Sequence, residues 1–135
     1  CAMTVKNLNG RVWRQRLPLR LPLKSAQFNW RCNVWIFLPN SFLSIVQKPD
    51  DTDTLTVRGR TQGDIESVFA DAVVQVGKGT DYKYRAKVPR AQVAQVLHDQ
   101  VMGLHYGNFK SAVKNHKRHD AYMRVWSAMY ANQDH

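Results

Sequence analysis

The side chains with chemical potential in this chain are few. His98, His105, His116 and His119 lie near Asp99 and Asp120. His116 and His119 are three apart, so on a continuous helix they share a face and could ligate one cation, with His105 or Asp120 as a third donor. The set lacks the tight spacing of a zinc signature, and solvated histidines on a basic helix are the commoner case. The sequence has no GxxxxGK[ST], GxGxxG, GxSxG or HExxH motif and no paired CxxC. The expectation is a non-catalytic protein that needs no cofactor. An enzyme using His116, His119 and Asp120 or Asp99 is the rival class.

Cations offer the second chemistry. Arg58 and Arg60 alternate along one segment, and Lys83, Arg85 and Lys87 along another. If both are strands and neighbours, five positive side chains line one sheet face. Lys110, Lys114, Lys117 and Arg118 follow the spacing i, i+4, i+7, i+8, one stripe of a helix. Such surfaces contact phosphates, with an affinity that falls steeply as salt rises. Reading bases also needs aromatics on the same face, and the alternation sends Tyr82 and Tyr84 to the other side, into the core. Solvated outer faces explain the same cations without a ligand. In Thr80-Asp81-Tyr82-Lys83-Tyr84-Arg85, Asp81 pairs with Arg85 or another nearby cation. In Tyr106-Gly107-Asn108-Phe109-Lys110, turn and cap roles compete with ligand contact.

The net charge of +10 over 135 residues is unevenly spread. Residues 1–33 hold seven basic residues and no acidic one, while the other 13 basic and all 10 acidic residues follow, leaving +3. Arg16 to Lys24 reads RLPLRLPLK, where two prolines four apart forbid a helix. Both cysteines, Cys1 and Cys32, fall in this part, so the remainder fits a reducing cytoplasm. Residues 1–33 are expected to be a basic, disordered or non-native extension, with Val34 as an alternative start. A basic arm on nucleic acid or acidic lipid is the rival. No run of about 18 apolar residues exists to span a membrane.

Residues 34–135 then form one domain. VWIFL (34–38) and FLSIVQ (42–47) flank a Pro-Asn-Ser turn and read as a hairpin. TLTVRGR (54–60), AVVQVG (72–77) and YKYRAKV (82–88) read as further strands, with a short helix from Asp64 through Phe69 between the first two. Pro89 opens a helix carrying Val93, Val96, Leu97, Val101 and Leu104 inward. Another begins near Asn108, and Tyr122, Val125, Trp126, Met129 and Tyr130 form the core stripe of the last. The order βββαββαα predicts an α+β domain: an antiparallel sheet of about five strands, helices packed on one face, with ferredoxin-like elements. The first strand is apolar on both faces, which predicts a central strand or one covered by a second copy, hence a homodimer.

Several segments resemble a family of small bacterial proteins without an assigned activity. They are Trp35-Ile36-Phe37, Phe42-Leu43-Ser44-Ile45-Val46, Val57-Arg58-Gly59-Arg60, Thr80 to Arg85, Tyr106 to Lys110, and Val125-Trp126-Ser127-Ala128-Met129-Tyr130. The resemblance covers about residues 34–132, supports the boundary at Val34 and implies no chemistry. The leading expectation is a small cytoplasmic binding protein whose partner is nucleic acid or an acidic protein, met through Arg58, Arg60, Lys83, Arg85, Lys87, Lys110, Lys114, Lys117 and Arg118. A homo-oligomeric structural or regulatory module is the other alternative.

Overall fold

The computed structural model describes residues 33–77, 79 and 81–134, together with the backbone of two short strands nearer the N-terminus. The chain divides into two units, residues 1–30 and 31–135. In the first, β1 (Val5–Lys6) and β2 (Val12–Trp13) pair antiparallel, Val5 opposite Trp13. Cys1, Cys32, the Arg16 to Lys24 segment and Thr80 lie outside the described residues, and with them most of the expected extension.

The second unit is an α+β fold. Its strands are β3 (Val34–Phe37), β4 (Phe42–Lys48), β5 (Asp51–Gly59), β6 (Gln75–Val76) and β7 (Tyr84–Pro89), arranged β3-β4-β5-β7-β6 and antiparallel throughout. The expected hairpin is β3–β4, closed by reciprocal backbone hydrogen bonds between Leu38 and Ser41. Register places Ile45, Val57 and Ala86 in one row and Leu55 beside Val88. These side chains share one sheet face, because successive residues of a strand alternate sides. With Leu43, Ile65, Phe69 and Val93 they make the core.

Three helices follow: α1 (Arg90–Met102), the single turn α2 (Phe109–Ala112) and α3 (His116–Ala131). Pro89 ends β7 and stands at the α1 N-cap, so the strand runs directly into the helix. α1 packs over β5 and β7. Asn108 caps α2, accepting a hydrogen bond from the Lys110 N–H at 2.9 Å. Asn115 does the same for α3, accepting from the Arg118 N–H at 3.0 Å.

Several expectations are corrected. The short helix after β5 is a series of turns: Ser67 N–H reaches Gly63 O and Phe69 N–H reaches Ile65 O, but no regular helix forms. Gly63 opens it at φ +87°, a left-handed backbone that suits glycine. Of residues 72–77 only Gln75 and Val76 join the ladder. β3 is an edge strand, not a central one, and Val34 and Trp35 are exposed. Val101 and Leu104 do not turn inward: both are exposed, and Leu104 lies beyond the end of α1. Trp126, Met129 and Tyr130 are exposed as well, because α3 lies outside the core and meets the hairpin end through its first turns. That meeting joins Tyr122 to Phe37, whose side chain lies opposite the core face, so the helices do not all cover one face.

Candidate functional site

The face opposite the core carries a cross-strand row, Trp35–Ser44–Arg58–Arg85–Gln75, each residue directly paired with the next. Beside it run Phe37 opposite Phe42, and Val46–Thr56–Lys87. Arg58 and Arg85 therefore face each other on neighbouring strands, the condition the cationic-face expectation required. Like charges so placed repel. The Arg58 guanidinium turns to Ser44, donating to its hydroxyl at 2.7 Å, and covers the Tyr82 ring at 4.4 Å. Arg60 covers the same ring at 4.1 Å and pairs with Asp81 at 3.4 Å. Tyr82 thus lies beneath two arginines on the cationic side. Tyr82 is buried as expected, but alternation assigns it the wrong face because β7 begins only at Tyr84, whose ring does pack on the core. Asp81 pairs with Arg60, so the Arg85 pairing is not the one formed.

At the hairpin end of this face opens a cleft of about 430 Å³, walled by Trp35, Phe37 and Phe42 from the hairpin, Arg60 and Tyr82, and Lys117, Arg118, Tyr122 and Val125 from α3. Trp35 is 60% exposed and meets Phe42 edge-on at 6.0 Å. Phe42, Phe37, Tyr122 and Phe109 continue as a chain of ring contacts at 4.9, 5.2 and 5.8 Å.

The cleft floor holds a polar network that the sequence reading missed. Asp64 is buried, and its carboxylate accepts the two guanidinium nitrogens of Arg118 at 2.5 and 3.2 Å and the Phe42 N–H at 3.1 Å. Arg118 also donates to the Tyr122 hydroxyl at 3.3 Å, and that hydroxyl lies 2.8 Å from Ser41 O and 3.0 Å from Leu38 O. A charged group out of water needs such a partner, and the bidentate fork is the strongest one. Burial opposes the charge on Arg118, but the hydrogen bonds and attraction of Asp64 and Tyr122 outweigh it and hold its pKa above the arginine norm. Burial pushes the Tyr122 pKa up, against the hydrogen bond and charge of Arg118. A legible signal existed: Arg118 and Tyr122 are i, i+4, so an arginine shares the face of a buried aromatic and calls for a buried acid.

The helical cation stripe is corrected by the same geometry. The chain is extended at Val113 and Asn115, so Lys110 and Lys114 do not share a helix with Lys117 and Arg118. Arg118 is spent on Asp64. Lys110 sits 3.7 Å above the Trp126 ring, and Lys114 donates to Ser111 O. Of that stripe, Lys117 reaches the cleft as an exposed cation. Lys83 precedes β7 and lies 5.7 Å from the Tyr84 ring. A second hollow, about 260 Å³, lies toward the other edge of the sheet, lined by Lys48, Thr56, Gln75, Arg85, Ala86 and Lys87.

The histidines do not converge. His98 contacts the adjacent Asp99 at 3.1 Å, His105 donates to Gly103 O at 3.0 Å, and His119 lies 3.7 Å from Asp120. The hydrogen bonds from His98 and Gln95 hold the Asp99 pKa below its ordinary value. Among the described residues no three of His, Cys, Asp or Glu come together as a metal site, and no helix is long and apolar enough to cross a membrane.

Compared with protein-family models, curated proteins and solved structures, the chain has no significant match. What the fold and site define is an antiparallel α+β sheet unit with an aromatic, cation-rimmed cleft opposite its core.

Proposed function

We propose that this chain is a non-catalytic binding module that takes single-stranded nucleic acid in the aromatic cleft. One observation carries the reading: the exposed Trp35 lies in the same cross-strand row as Arg58 and Arg85, so a stacking surface and cations share a face. Bases of any identity stack on such rings, and the anionic phosphates between them pair with guanidinium and ammonium groups. Phe37 and Phe42 deepen the stacking wall, while Arg60 and Lys117 stand at its rim.

The test is fluorescence anisotropy of a labelled oligothymidylate with the full chain. Trp35→Ala should weaken binding about tenfold or more, the loss of one base–aromatic stack. Because Trp35 is largely exposed, its removal leaves the core intact. Affinity should fall as salt rises. Equal affinity for Trp35→Ala and the parent, or equal displacement by base-free polyphosphate, would instead favour a general polyanion such as an acidic protein. A second reading, pairing of two copies, is favoured by the position of β3, the outermost of the described strands of its sheet, beside the exposed Trp35. Light scattering of the parent and Trp35→Ala decides it, since a dimer lost in the variant supports pairing.

A further inference from the structure

A base stacked on Trp35 occupies the cleft alone. The same face holds a second feature that it leaves unused. Beyond Arg58 in the cross-strand row, the hollow around Thr56, Gln75, Arg85 and Lys87 collects two cations of β7, with Lys48 at its rim. It is a different kind of place from the cleft, since no aromatic lines it. Its donors suit phosphate oxygens: a guanidinium, ammonium groups, the buried Thr56 hydroxyl and a carboxamide. Asp51 lies 3.8 Å from Lys87, whose side chain is 70% exposed in that pair. Exposed pairs of this kind are weak, so a phosphate competes for Lys87 on favourable terms.

Resting on the nucleic-acid reading, we infer that the strand crosses the sheet at right angles to β3, β4, β5 and β7, with a base stacked at Trp35 and a phosphate further along seated in the Arg85–Lys87 hollow. Trp35 and Arg85 stand three strand spacings apart, about 14 Å. At the ~3.4 Å per nucleotide of a stacked strand this is about four nucleotides, and fewer when the strand is drawn out. Arg58 lies between the two sites in the same row, already turned toward the cleft by Tyr82. The cations therefore form a path whose length selects strands of several nucleotides over a mononucleotide or dinucleotide.

The experiment compares dT2 and dT8 as unlabelled competitors for the full chain, with rU8 as a parallel arm for the sugar. The variant Arg85→Gln/Lys87→Gln should weaken dT8 at least tenfold and leave dT2 within twofold. It should also flatten the salt dependence of dT8 by about 1.4 logarithmic units per unit of log salt, two phosphate contacts' worth. Lys48→Gln, at the exposed rim, should follow in the same direction with a smaller loss and keeps the test open if the double variant folds poorly. Lys83→Gln/Lys114→Gln removes the same charge away from the row and should leave the slope unchanged. Equal weakening of dT2 and dT8, or an unaltered dT8 affinity while Trp35→Ala still binds weakly, overturns the path and spares the cleft. Absence of any dT8 binding overturns both.

Discussion

Arg118→Met tests whether helix α3 is held to the sheet by one buried charge pair. In the parent, Asp64 is 3% exposed and the Arg118 side chain 14%, and the carboxylate is satisfied by two guanidinium bonds and one backbone N–H. Methionine keeps the volume of the stem but removes both charged donors, leaving the Asp64 side chain with the Phe42 N–H alone. Breaking a buried pair by removing one partner costs about 3–5 kcal/mol. The lower figure, about 3 kcal/mol, applies because Arg118 borders an open cleft from which water can reach Asp64. At about 4 °C per kcal/mol for a unit of this size, the midpoint should fall by about 12 °C. Urea and thermal unfolding measure the loss. Asp64→Asn/Arg118→Met completes a double-mutant cycle and should recover about 2 kcal/mol against the sum of the single changes, since no charge is then stranded. A loss under about 1 kcal/mol, or strict additivity, would refute the claim that this pair anchors the helix.

Two further outcomes follow from the same junction. Asn115→Ala removes the hydrogen bond to the Arg118 N–H and should cost about 1 kcal/mol, read as a lowered midpoint. Tyr122 has a pKa raised by burial above its ordinary value of 10.0. A raised folded pKa contributes stability that is complete below that ordinary value and is lost as pH rises through the folded one. The parent should therefore lose stability on the alkaline side more steeply than Tyr122→Phe, in unfolding curves from pH 8 upward.

The strands were legible because each signal is local. Leu55 and Val57 against Thr56 and Arg58, and Ala86 and Val88 against Arg85 and Lys87, are assigned to their faces by alternation alone, and the register agrees. Both helix caps at Asn108 and Asn115 rest on the residue's own side chain, although only Asn108 was anticipated. What failed depends on distance or on element ends. Asp64 reads as a first-turn acid until its partner, 54 residues later, is known. Tyr82 is buried as its sequence suggests, but its face is misread until the strand is seen to start at Tyr84. The helical stripes failed because periodicity says which residues share a face, not whether anything covers it. Val125, Trp126, Met129 and Tyr130 keep ideal spacing on a helix that lies outside the core. The aromatic cleft was out of reach for a related reason. Trp35 and Phe37 looked like packing on a two-sided apolar strand, and the edge position leaves Trp35 exposed beside the half-buried Phe37.

The polar anchor and the cleft share their parts, and this has a thermodynamic consequence. Arg118 and Tyr122 bind α3 to the hairpin turn, and the same two residues line the wall that faces Trp35 and Phe37. Among the described residues, no side chain of this helix belongs to the core cluster or packs on it. A ligand gripped at once by the hairpin and by Lys117 of α3 therefore recognises only the docked helix. On the proposed reading, saturation at a hundred times the dissociation constant adds about 2.7 kcal/mol to the docked state. That nearly offsets the loss expected for Arg118→Met, so an oligonucleotide that binds the cleft should restore most of that variant's midpoint. Trp35→Ala, which weakens the grip without touching the anchor, should remove the rescue in the double variant.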